Sequence, residues 1–143
     1  MHITKALTFF ICLICLIASA TVMAEKTVSI TPGKWQVTTT LSMSMMPQQR
    51  VETVKECVTE DVFSAENMLQ DDQSCSFIER KVTGNTLSWT MECATDAGPA
   101  QGKGQFTSHG KSADGTMEMT MNAQGQTFTT KMIWQGKHIG PCN

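Results

Sequence analysis

The chain has no tyrosine, and aromatic residues make up only 6% of it. Tyrosine is the usual aromatic of protein and sugar recognition surfaces, so a surface of that kind has little to be built from. Charge is scarce as well, at 17% of residues with a formal net charge of −2. The lysines from Lys26 to Lys137 are scattered among acids and make no patch. That excludes nucleic acid or an anionic lipid surface as a main partner.

Catalytic motifs are missing too. There is no G-x-S-x-G, no H-E-x-x-H and no glycine loop of the kind that cradles phosphate. Beyond His2 the only histidines are His109 and His138, neither placed in a nucleophile–base pattern. The acid pairs Glu60-Asp61 and Asp71-Asp72 read as helix flanks and solvated surface rather than as glycosidase carboxylates. The chain is therefore expected not to be an enzyme and to use no cofactor.

A long apolar run is also lacking. The run from Ala6 to Ala18 falls short of the ~20 residues that a membrane-spanning helix needs. It follows a short polar start with Lys5 and precedes Val22-Met23-Ala24, the small-residue pattern of a secretory cleavage site. Residues 1–24 are read as a signal peptide and residues 25–143 as one exported domain, with no membrane span left after cleavage. A lipid anchor is not expected, because Ile11 and Ile14 precede Cys12 and Cys15 where lipobox processing requires a small residue. Loss of Lys5 takes the formal charge from −2 to −3.

What remains is four cysteines, Cys57, Cys75, Cys93 and Cys142, with no C-x-x-C among them. An even set in an exported chain reads as two disulfides before it reads as a zinc site, and thioredoxin-like chemistry has no motif.

Periodicity then describes the fold. Trp35, Val37, Thr39, Leu41, Met43 and Met45 alternate with polar residues, which is the period of a strand and not of a helix. A second strand runs from Gln49 to Val58. Thr59 can cap a short helix with Val62, Ala65 and Leu69 on one face, closed by Asp71-Asp72-Gln73-Ser74. Leu87, Trp89, Met91 and Cys93 share a strand face, and a three-residue loop at Thr83-Gly84-Asn85 sets Phe77 opposite Met91 and Cys75 opposite Cys93. A strand from Gly102 to Ser108 is joined to the next across Asp114-Gly115. A loop Ala123-Gln124-Gly125-Gln126 sets Met121 against Phe128 and Met117 against Met132. The fold expected is all-β: an antiparallel meander of about seven strands, open or half-barrel, with one short helix. Register makes Cys75–Cys93 the first disulfide, and elimination leaves Cys57–Cys142.

Pro32-Gly33-Lys34-Trp35 before a Thr-rich strand, single cysteines at 57, 75 and 93, Trp89 just before Cys93 and the closing Gly140-Pro141-Cys142 resemble the bacterial domain-of-unknown-function family numbered 3617. The resemblance covers essentially all of residues 25–143. It implies an exported protein of a Gram-negative bacterium, hence a periplasmic address, and no activity. Lys137-His138-Ile139 stand before Gly140 where the family often has a basic residue and glycine.

Two sets of side chains are candidate sites. Met117, Met119 and Met121 recur at period two, and a face of thioethers reads as core or as the lining of an apolar pocket; copper(I) is the alternative, because thioethers are soft ligands. Trp35, Trp89 and Trp134 lie on the apolar sides of their strands and are the candidate pocket rings. The function expected is a non-catalytic periplasmic binding or envelope-associated module, its partner a small apolar ligand or an envelope protein.

Cleavage after Ala24 is expected, and the intact mass of protein recovered from the periplasm checks it. A species that retains residues 1–24 contradicts the signal reading.

Overall fold

The structure is a computed structural model that describes residues 26–69 and 74–143. The expected signal segment, residues 1–24, and the expected closing turn at Asp71-Asp72-Gln73 lie outside the described residues. Among the described residues there are nine strands: β1 (Thr27–Ser29), β2 (Gly33–Met43), β3 (Arg50–Val58), β4 (Val62–Ser64), β5 (Cys75–Thr83), β6 (Thr86–Thr95), β7 (Gly98–Ser108), β8 (Ser112–Ala123) and β9 (Gln126–Gly140). Seven form one antiparallel sheet in the order β3-β2-β9-β8-β7-β6-β5, with β3 and β5 as separate edges, so the sheet is open. The chain is all-β.

The apolar positions fall into rows that run across this sheet. One row is Thr39, Trp134, Gly115, Phe106, Leu87 and Val82; the next is Leu41, Met132, Met117, Gly104 and Trp89. Each member sits opposite its neighbour because side chains alternate between faces with period two, so a single register carries all of them to one side. Trp134 and Trp89 of these rows, and Trp35 of another row on the same face, lie over glycines of adjacent strands. A Cβ added at Gly104 would meet the Trp89 ring at 2.4 Å, one at Gly115 the Trp134 ring at 2.9 Å, and one at Gly136 the Trp35 ring at 3.3 Å. The missing side chain is the space the ring fills, which is how a glycine in a strand interior is covered.

Two hairpins differ from expectation in an informative way. The β5–β6 loop is two residues, Gly84-Asn85, with Gly84 at φ 59° and Thr83 opposite Thr86. A bulge between Phe77 and Glu79 adds back the missing step, so Cys75 still faces Cys93. The β8–β9 turn is also two residues, Gln124-Gly125, both at positive φ, and Met117 faces Met132; this is the tight turn whose twist matches the strands. Asp114-Gly115 is not a turn. Both residues lie inside β8, because Gly115 is there to seat Trp134, and the chain reverses instead at residues 109–111.

The expected helix after Thr59 is corrected as well. Val62–Ser64 is strand β4, paired with β1, and only a 3-10 turn, Ala65–Met68, follows it. Val62 and Phe63 have backbone partners in Thr27–Ser29 that local sequence cannot reveal, and those bonds outweigh a weak helical pattern. Since β3 and β5 are opposite edges, the stretch between them must cross one face of the sheet, carrying β4 with it. Val28 and Ala65 are buried there, and Phe63 stacks on Phe106 with centroids 3.9 Å apart at 21°. Arg80, on the β5 side, is ion-paired with Glu66 of the 3-10 turn. Cys57 is joined to Cys142 and Cys75 to Cys93.

Gly104→Ala should destabilise the protein by roughly 1–3 kcal/mol, the usual cost of forcing atoms into a filled core. Alanine otherwise suits a strand better than glycine, so a loss of stability singles out the ring contact. Urea unfolding measures it, with exposed Ser88→Ala as control; a neutral or stabilising Gly104→Ala would mean that Trp89 is not seated on that glycine.

Candidate functional site

The crossing stretch does not fill the face it covers. Between it and the strands β3, β2, β9 and β8 lies a cavity of about 480 Å³, within the size range of small-molecule sites. Its floor is Trp35 and Val37 of β2, Ala113 of β8, and Trp134 and Gly136 of β9; its roof is Ile30, Val62, Phe63 and Met68. Val54 and Val58 of β3 form one wall. Small residues leave that space: Gly136 and Ala113 are register partners, and neither has a side chain long enough to reach the roof.

Polar groups are few and lie toward the opening. Glu56 and Glu60 line it, with Thr39 and Asn67. Asp114 lines it too, but its carboxylate oxygen is 2.6 Å from His109 Nε2, and both side chains are more than half exposed. Trp35 spends its indole N–H on the Thr31 carbonyl at 2.8 Å, so the buried ring presents only carbon to the cavity.

Of the three candidate pocket rings, two line the cavity and one does not. Trp35 is 2% exposed and forms floor, and Trp134 is half-buried beside it. Trp89 is 3% exposed and lies in the core over Gly104, away from the cavity. All three sit on the same face. What separates them is the row they occupy: the crossing stretch arches over the rows of Trp35 and Trp134, whereas Trp89 lies in the next row.

Met117, Met119 and Met121 face the same side and pack against the core, but they are half-buried rather than enclosed. The crossing stretch covers the other end of the face, which leaves the methionine end partly open. Met91 and Met119 converge across Gly102, their sulfurs 3.1 and 2.5 Å from where a Cβ at 102 would lie. Thr95 donates its hydroxyl to the Met121 sulfur at 3.4 Å. Neighbouring methionines on one strand face are ~7 Å apart along the chain, so the thioethers that meet are those of different strands.

Sequence reasoning found neither the roof nor the carboxylates at the opening. Phe63 and Met68 belong to the crossing stretch, and Ile30 is tied to it through its N–H bond to the Asp61 carbonyl, so only the path of that stretch sets the roof.

A model of the family described as "Protein of unknown function (DUF3617)" matches residues 30–142. The chain belongs to this family. The match takes in every strand from β2 to β9, and so the cavity floor, walls and roof of this DUF3617 chain. No curated protein and no solved structure matches it.

Among the methionines, mild peroxide should oxidise Met45 and Met46, which are 70% and 52% exposed, before Met117, Met119 and Met121. Peptide mass spectrometry over a time course reads the order. Equal rates at all five would mean that the β8 methionines are open to solvent.

Proposed function

We propose that this chain is a non-catalytic binding module of the periplasm whose cavity takes a small apolar ligand. One observation carries the reading. The cavity of about 480 Å³ is walled by indole, phenyl and aliphatic groups, with its few polar side chains at the opening, the arrangement of a ligand pocket. Its lining includes no histidine, cysteine or lysine, so a nucleophile with an adjacent base is not at hand there. Two disulfides suit an oxidising compartment, as do the export signal read in residues 1–24 and the family's exported character. An envelope protein seated on the same face is the other partner compatible with an open sheet.

Copper(I) binding on the methionine face is a second reading, favoured by the convergence of Met91 and Met119 over Gly102. It would use thioethers from β6 and β8 and not Met117, Met119 and Met121 of one strand alone. Copper(I) titration under reducing conditions too mild to open the disulfides discriminates the two, since stoichiometric uptake belongs to the second reading only.

A neutral naphthyl fluorophore should bind the purified protein, gain intensity and quench tryptophan emission. Thr39→Trp, which enlarges a lining side chain opposite Trp134, should weaken that binding about tenfold or more by filling the space, a loss of roughly 1.4 kcal/mol. Equal binding by both proteins would place the fluorophore elsewhere and count against the cavity.

A further inference from the structure

We infer that the ligand of this cavity carries a positively charged end on its apolar body, and that Glu56 and Glu60 select it. This rests on the binding reading above and adds the ligand's charge. Of the side chains that line the cavity, three are acids and none is lysine, arginine or histidine. Asp114 is already engaged by His109. Glu56 and Glu60 are exposed, and among the described residues neither is held in an ion pair.

Their positions aim them at the opening. Glu56 shares a strand face with Val54 and Val58, both wall residues, and is the register partner of the buried Trp35. Glu60 follows β3 where the chain turns to cross the sheet. The cations nearby are directed elsewhere. Lys55 and Lys34 occupy the alternate positions of β3 and β2, on the opposite face. Arg80 is taken up by Glu66 and lies 5.2 Å over the Phe77 ring.

The opening is thus negative and uncompensated, beside a wall of low polarity that strengthens electrostatic interaction relative to open water. A carboxylate-headed ligand, such as a fatty acid, would set like charges together; an amine or quaternary ammonium head would meet two carboxylates. The apolar tail would run along the lining away from the row of Glu56 and Trp35, beside Val37, Phe106 and Trp134.

Displacement of the neutral fluorophore by three probes with one tail tests this: dodecylamine, dodecanol and dodecanoate, each below its micelle-forming concentration. The amine should compete at a concentration about tenfold lower than the carboxylate, with the alcohol between, and the spread should narrow as salt is raised. The Glu56→Gln, Glu60→Gln double variant should bring the ratio of amine to alcohol close to one. Dodecanoate competing as well as the amine overturns the inference, and so does an amine preference that survives both the double variant and high salt. Should the double variant fail to fold, the salt dependence of the unaltered protein decides alone. Where the fluorophore binds but the probes show no charge preference, only the ligand's charge is wrong; where neither fluorophore nor probe binds, the cavity reading fails and takes this one with it.

Discussion

Indole rings laid across glycines on neighbouring strands are the constraint on which the structure turns. Trp89 covers Gly104, Trp134 covers Gly115 and Trp35 covers Gly136, so each of the three largest side chains occupies volume that a Cβ next door would otherwise claim. A strand that lacks a side chain at such a position leaves room on that face, and a large ring from the next strand fills it. The thioethers of Met91 and Met119 do the same over Gly102. Bulk comes from one strand and room from the next, so every such pair also pins the register between its strands: a slip by one residue would put ring against side chain and expose the ring on the other face.

The chain itself covers part of that face. β3 and β5 are opposite edges of the sheet yet nearly consecutive in sequence, so their connection is forced over the face. Its anchors are concrete: β4 pairs with β1, Phe63 stacks on Phe106, Ala65 is buried, and Glu66 binds Arg80. The disulfide Cys57–Cys142 ties the end of β3 to the chain end just beyond β9, and the β2 residue opposite Cys57 is Lys34, which also pairs with Gly140. The rim from which the crossing begins is thereby closed covalently. A covered end with a cavity and a partly open methionine end follow from one path of the chain. Both readings of function, apolar ligand and soft metal, are uses of the two ends of a single face.

Much of this was legible in residue order, and the reason is arithmetic. Period two across Trp35 to Met43, Leu87 to Cys93 and Met117 to Met121 can be satisfied by one face only, so strand identity and the Met117–Met132 pairing come out of pattern alone. The β5–β6 hairpin shows the limit. A three-residue loop was expected and a two-residue loop is present, yet Cys75 still faces Cys93 because a bulge at Ile78 offsets the difference; a pattern that reads only which residues face each other cannot tell a longer loop from a shorter loop plus a bulge. Asp114-Gly115 misled for a related reason. Glycine after aspartate is a turn signal when read locally, and here it is a seat for Trp134 when read across strands.

The amino-acid sequence by itself determined the fold class, the face to which each tryptophan and methionine points, and the family, since these depend on alternation and on motifs close together along the chain. Only the tertiary structure decided that Val62–Ser64 is strand and not helix, that Trp35 and Trp134 share a cavity from which Trp89 is absent, and that Glu56 and Glu60 stand at its opening. Those outcomes depend on where a connecting stretch lies over the sheet. Its position is set by contacts such as Phe63 on Phe106 and Glu66 with Arg80, between residues far apart in sequence, which leave no periodic trace in either segment.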